Sequence, residues 1–135
     1  TVVGLKDQFK NKLKSIPKNI KVLSFLSQED LLIYLNKSEF YLQLSISEGF
    51  PNALCEAMLC GCIPIGSKVG AIPNIIDKTG FLLGSSNNNY IKKEFKSILA
   101  LNNAKRKELA QSARKRVENE FHIEKRQNKF LDLIK

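Results

Sequence analysis

The chain is poor in the residues that build metal centres and disulfide frameworks. Its 135 residues include one histidine, His122, and three cysteines, Cys55, Cys60 and Cys62. An odd number of cysteines clustered within eight residues is not a disulfide framework, and it fits a reducing compartment. Structural zinc takes four ligands, and the single histidine lies sixty residues beyond Cys62. Cys60-Gly61-Cys62 therefore reads as small core residues, with no metal site expected. No apolar run approaches the roughly 18 residues needed to span a bilayer, and no secretory signal opens the chain. A soluble cytoplasmic protein is the expectation.

What remains is ordinary in bulk and uneven in charge. The apolar fraction of 43% and charged fraction of 26% suit one globular domain over 1–135. The formal net charge is +9, of which residues 1–40 carry +3, residues 41–84 carry −1 and residues 85–135 carry +7. A basic excess attracts nucleic acid, anionic lipid or phosphate, but a solvated helical face is the more ordinary explanation.

Short β-rich runs alternate with helical patterns. Strands are expected at 1–4, 19–26, 40–46, 62–67 and 79–84, and helices at 9–16, 27–38 (with Ser27 as N-cap), 52–59 and 71–77. The run 85–89 reads as a loop, followed by helices at 90–101, 104–119 and 123–134. This alternation predicts an α/β fold, a Rossmann-like doubly wound parallel sheet. The strand 40–46 is almost continuously apolar, as in a parallel strand covered on both faces. The chain begins in the middle of the alternation, so an N-terminally truncated piece of a larger protein is expected.

In such sheets ligands bind at the C-terminal ends of strands. The turn Ser47-Glu48-Gly49-Phe50-Pro51 falls at one such end, before the 52–59 helix. Gly49 permits close backbone approach, and Pro51 suits the first helical turn. The amides of Asn52, Ala53 and Leu54 are then expected to be unpaired donors at the positive end of a helix, a place for an anion. Glu56 is flanked by Leu54, Cys55, Ala57, Met58 and Leu59, which predicts a largely buried helix. A buried lone carboxylate costs several kcal/mol unless it is paired. Glu56 either accepts two hydrogen bonds from a vicinal diol such as a ribose, or pairs with a distant lysine. Glu48 either faces whatever the helix start holds, or is a solvated loop acid.

The stretch resembles the nucleotide-sugar-binding segment of retaining GT-B glycosyltransferases, whose pattern runs E-G-F-P-x-x-x-x-E-A-M-x-x-G-x-P-V. Glu48-Gly49-Phe50-Pro51, Glu56-Ala57-Met58, Gly61 and Pro64 stand in the matching places, as do Val69-Gly70 and Thr79-Gly80-Phe81-Leu82. The resemblance covers essentially the whole chain. It implies the C-terminal, donor-binding half of a GT-B fold, acting on a nucleoside diphosphate sugar with retention at the anomeric carbon. It places Glu48 beside the donor sugar and reacting carbon, and Glu56 on the ribose hydroxyls. The backbone from Gly49 through Phe50, Pro51, Asn52 and Ala53 to Leu54 would contact sugar and diphosphate. The turn at Ser27 and Gln28 would approach the base.

The resemblance also implies no cofactor and no metal, because the protein's own donors take up the diphosphate charge. The acceptor, a glycan or a lipid-linked molecule, would be held by an N-terminal domain. An arginine and a lysine that relatives direct at the diphosphate would precede Thr1, and Asn74 stands where the family often has Glu. Two rival classes draw on the same residues. A glycoside hydrolase needs carboxyls facing each other roughly 5–10 Å apart across a sugar, which an acid in a turn and one on the following helix need not satisfy. A basic nucleic-acid-binding α/β module needs aromatics interleaved with basic residues on one surface, whereas Phe95, Phe121 and Phe130 fall at helical core spacings. The expectation is no nucleic-acid partner. A peripheral contact of the basic "AKRK" and "RKR" helices with the inner face of a membrane is compatible with the main reading.

Overall fold

The computed structural model describes residues 1–4, 17 and 19–121. The helices expected at 9–16 and 123–134, and with them Phe130, lie outside the described residues. The chain divides into two compact units, 1–34 and 35–135.

In the first unit β1 (Val2–Val3) runs parallel to β2 (Val22–Leu23), with Val2 opposite Val22 and Val3 opposite Leu23. Helix α1 (Gln28–Asn36) carries the chain across the boundary into the second unit. It starts where expected. The Ser27 hydroxyl accepts from the Asp30 amide at 3.1 Å and donates to the Asp30 carboxylate at 2.8 Å, a reciprocal capping arrangement. Lys21 donates to the Tyr34 hydroxyl at 3.0 Å.

The second unit is a three-stranded parallel sheet in the order β3 (Phe40–Gln43), β4 (Ile63–Ser67), β5 (Phe81–Leu83). Helices α2 (Asn52–Leu59) and α3 (Ile72–Ile76) connect the strands, and α4 (Asn88–Leu99) and α5 (Asn103–Glu120) follow. Strand residues alternate between faces. Tyr41 and Leu82 join the cluster of Leu54, Cys55, Met58, Ile72, Ile75, Ile76, Ala113 and Val117, where α2, α3 and α5 pack. Phe40, Ile65, Phe81 and Leu83 meet Ile98, Tyr90, Ile91 and Phe95 of α4 on the opposite face. Helices thus cover both faces, as the alternation predicts. Phe95 and Phe121 pack against these clusters.

Two local devices fix the frame around α2. Its C-terminus ends on Gly61 at φ +82°, with the Gly61 amide donating to the Met58 carbonyl and the Cys62 amide to the Ala57 carbonyl, both at 3.0 Å. This is a Schellman motif, and it drops the chain directly into β4. A side chain at Gly66 would meet Ile72 at 2.5 Å and Ile76 at 2.8 Å, so α3 lies against the bare backbone of β4.

Strand β3 is shorter than expected. Its ladder with β4 ends at Gln43 opposite Gly66. Beyond it, the Ser67 hydroxyl takes the Ser45 carbonyl at 2.6 Å in place of a main-chain partner. Leu42 within the strand, and Leu44 and Ile46 beyond it, are exposed rather than covered on both faces, Ile46 at 97%. Helix α4 begins at Asn88, two residues early, because the Asn87 side chain accepts from the amides of Asn89 and Tyr90.

Candidate active site

The site is built from one face of β3 and the turn after it. Tyr41, Gln43 and Ser45 alternate along the strand and its extension, and so share the side that packs on α2. The Tyr41 hydroxyl donates to Gln43 Oε1 at 3.0 Å. Gln43 Nε2 donates to Ser45 Oγ at 2.9 Å and to Glu48 Oε2 at 3.1 Å. Ser45 Oγ also donates to Glu48 Oε2, at 3.1 Å. One carboxylate oxygen of Glu48 therefore carries two hydrogen bonds, while Oε1 has none among the described residues. Half-buried at a strand end, Glu48 is held from the sheet side and open on the other.

Tyr41 is the residue on which both acids bear. Burial raises its pKa first; the negative charge of Glu56 adds to this, followed by Cys62 and Glu48. Its phenol stays protonated and serves as a donor at neutral pH.

The turn itself is braced by the segment after β4. Gly70 has φ +53°, and a Cβ there would collide with the main-chain carbonyl of Glu48. The Ala71 amide donates to the Gly49 carbonyl at 3.0 Å. Backbone lies on backbone, which only glycine allows at position 70. On the opposite side the Phe50 ring meets Phe121, with centroids 5.7 Å apart and planes tilted by 57°. Arg116 stacks on Phe121 at 5.9 Å, and its guanidinium donates to the carbonyls of Asn74 (2.5 Å) and Ile75 (2.7 Å), holding the end of α3.

Pro51 is the N-cap of α2 with extended ψ of 98°, one residue ahead of its expected place in the first turn. The amides of Asn52 and Ala53 have no partner among the described residues. The Leu54 amide differs from expectation: it donates to the Pro51 carbonyl at 3.1 Å in a tight first turn, and its side chain is wholly buried. Glu56 is half-buried rather than enclosed, since Asn52 and Leu59 on the same helix face outward. Its carboxylate has no partner among the described residues.

Ser27 and Gln28 belong to the first unit, where the Ser27 hydroxyl is committed to capping α1. Cys62 donates its thiol to the carbonyls of Leu35 and Ser38, each at 3.3 Å. Burial, with Cys60 nearby, pushes its pKa up to about 11. It is thus a protonated core thiol at neutral pH. Among the described residues no three His, Cys, Asp or Glu side chains gather as a metal site, and no helix is long and apolar enough to cross a membrane. A concavity of about 170 Å³ lies at the other end of the sheet, lined by Glu39, Gly61, Ile63, Arg106 and Lys107. Arg106 closes it by donating to Glu39 at 2.8 Å and to the carbonyls of Leu99 and Leu101.

The composition of the strand misses Tyr41, Gln43 and Ser45 as site residues, though their signal is in the sequence. Three polar groups at every second position of an apolar run mark a polar stripe on one face.

An acid at a parallel strand end, a helix start whose first two amides have no partner among the described residues and a second acid one turn along are set on an α/β fold of parallel strands with helices on both faces. Residues 1–116 match the family model described as glycosyl transferases group 1, and the chain belongs to that family. It is 33% identical over 121 residues to a trehalose synthase of Pyrococcus horikoshii, covering 86% of this chain and 28% of the relative. It is 41% identical over 64 residues to the N-acetyl-alpha-D-glucosaminyl L-malate synthase of Bacillus anthracis, covering 46% of this chain and 17% of that protein. Among solved structures, a glycosyltransferase from Rickettsia africae superposes with a TM-score of 0.79 at 21% identity, over 97% of this chain and 38% of that one. The sucrose-phosphate synthase of Thermosynechococcus elongatus gives 0.78 at 22% identity, over 98% and 36%. The fold is that of a GT-B glycosyltransferase domain, and the chain spans between 17% and 38% of the length of these relatives.

Proposed function

We propose that this chain is the nucleotide-sugar-binding half of a retaining glycosyltransferase, spanning 1–135 and completed by an acceptor-binding domain elsewhere in the full-length protein. The observation that carries the reading is a set of open polar groups around one strand end. Glu48 Oε1, the amides of Asn52 and Ala53, and the Glu56 carboxylate all lack partners among the described residues, and the backbone beneath them is braced by Gly70. An anion at the helix start meets donors and the positive end of the helix dipole. A diol one turn further along meets a carboxylate that only accepts.

In this reading the diphosphate lies over the start of α2, the ribose hydroxyls donate to Glu56 and the sugar lies against Glu48. As the bond from the anomeric carbon to the diphosphate breaks, positive charge builds on the sugar and negative charge on the leaving oxygen. Amides fixed at the helix start favour that negative charge without reorganising, and the carboxylate of Glu48 favours the positive. The acceptor hydroxyl adds to the anomeric carbon on the same face and gives its proton to the departing diphosphate oxygen. No metal or cofactor has a part in this scheme, and the acceptor class is a glycan or lipid-linked molecule.

The test is a calorimetric titration of UDP, GDP and ADP into the full-length gene product and its Glu56→Gln variant. One nucleoside diphosphate binds the wild type, and the substitution weakens it about tenfold or more, as expected for about 1.5–3 kcal/mol from a hydrogen bond to a charged group. Equal affinities in the two proteins would remove the ribose role of Glu56.

A further inference from the structure

A glutamate at the tip of a turn has three freely rotating side-chain bonds, and the chemistry proposed for Glu48 needs one rotamer. The turn's backbone does not choose it; the neighbouring side chains do. We propose that Gln43, with Tyr41 behind it, is a positioning residue that locks the Glu48 carboxylate so that Oε1 points to the donor sugar, an inference that rests on the donor-site reading above.

Three features support this. The first is direction. A carboxylate only accepts, so it needs donors, and both groups that reach Glu48, Gln43 Nε2 and Ser45 Oγ, donate to the same oxygen, Oε2. Two bonds on one oxygen fix the plane of the group and leave the other oxygen for a ligand.

The second is the orientation of the amide. A glutamine side chain turned over would place its carbonyl against the carboxylate, oxygen facing oxygen. Glu48 itself selects against this, because a carboxylate accepts from Nε2 and repels Oε1, and Tyr41 then donates to the Oε1 turned toward it, at 3.0 Å. The phenol remains a donor because burial and the two acids hold its proton on.

The third is economy of place. Positions 41 and 43 share one face of β3, with Ser45 two residues beyond, so a rigid strand sets the spacing of Tyr41 and Gln43. Side chains positioned by a strand are held better than side chains positioned by a loop. Without Gln43, Ser45 alone would hold Glu48 through one bond, and that serine would lose the donor it accepts from Gln43.

The test measures nucleoside diphosphate release by the full-length gene product, with UDP-glucose, UDP-N-acetylglucosamine, GDP-mannose and ADP-glucose offered separately. Each variant is also melted thermally, so that loss of fold is seen as such. Gln43→Met keeps the length and removes both amide groups. It lowers kcat about tenfold while leaving KM within about threefold, the pattern of a lost transition-state contact. Tyr41→Phe lowers kcat by a smaller factor. Gln43→Glu, which sets an acid against an acid at nearly constant shape, lowers it further than Gln43→Met and serves if the methionine variant melts early. Wild-type kcat in both Gln43 variants, with Glu48→Gln inactive, overturns the relay and leaves the donor-site reading standing. A raised KM with unchanged kcat in Gln43→Met also overturns it. Wild-type turnover in Glu48→Gln overturns the donor-site reading and the relay together.

Discussion

The α-carbon of Gly70 faces the main-chain carbonyl of Glu48 so closely that no side chain fits between them. The turn that carries the first acid therefore takes its shape from a glycine 22 residues later, beyond α2 and β4. This yields a comparison of two glycines. Gly70 and Gly61 both adopt positive φ, +53° and +82°, but a Cβ at Gly61 meets nothing within 4 Å. Gly61→Ala incurs backbone strain alone, about 1–2 kcal/mol. Gly70→Ala incurs the strain and must also push the 48–49 backbone aside. Gly70→Ala is expected to abolish nucleoside diphosphate binding by calorimetry, with Gly61→Ala binding as wild type at a slightly lower melting temperature. Equal binding by the two variants would show that the 70–71 segment does not shape the turn.

Cys62 makes stability depend on alkaline pH. Its thiol is held up to about 11, chiefly by burial, from an ordinary 9.0. Between those values the unfolded chain releases the proton and the folded chain keeps it. The folded state then binds more protons, and stability falls as pH rises from about 9 to about 11. Below about 9 both states are protonated and the effect vanishes. Cys62→Ser retains a donor to the carbonyls of Leu35 and Ser38 but does not titrate in this range. Urea midpoints at pH 7, 9 and 10.5 are expected to fall more steeply for wild type than for Cys62→Ser. Tyr41, whose pKa is also raised, is held up chiefly by burial, a part common to both proteins; its smaller coupling to the Cys62 thiolate is lost in Cys62→Ser and adds to the difference in the same direction. Parallel slopes would mean that the thiol is not enclosed in the folded protein.

Much of this arrangement is legible in the residues, for reasons that differ from place to place. Helix α2 is legible at both ends, because Pro51 and Gly61 are local signals that act on the backbone where they stand. Strand β4 follows from its apolar run, and Ser27 from its capping pattern. The end of β3 is not legible. Whether Leu44 to Ile46 continue a strand depends on whether β4 still has groups to pair, and Ser67 settles that from 22 residues away. The state of Glu56 is hidden for a similar reason. Its sequence neighbours are apolar, yet Asn52 and Leu59 turn outward on the same helix, and only packing decides how far a helix sinks. The pairing of the Leu54 amide with Pro51 depends on how tightly the first turn winds, a choice between i−3 and i−4 bonding that residue types leave open. Gly70 is visible as a glycine, but its partner is a backbone group, and backbone groups leave no mark in a sequence.

The helix start offers a way to delete a single donor without disturbing the helix. Proline is well suited to the first helical position, where its missing N–H has no intrahelical partner. Asn52 is that position in α2, and its amide is one of the two free donors. The residue before a proline must be extended, and Pro51 already is, at φ −78° and ψ 98°. Asn52→Pro should therefore fold as well as Asn52→Ala, or slightly better through the reduced freedom of the unfolded chain. The two variants both lack the asparagine side chain and differ at the amide. If that amide holds a phosphate oxygen, Asn52→Pro binds the nucleoside diphosphate about tenfold or more weakly than Asn52→Ala, as expected for a hydrogen bond to a charged group of about 1.5–3 kcal/mol. The same titrations in excess EDTA are expected to give unchanged affinities, since the charge is taken up by main-chain donors. Equal affinity of the proline and alanine variants would place the diphosphate elsewhere, and a loss of binding in EDTA would put a divalent cation between phosphate and protein.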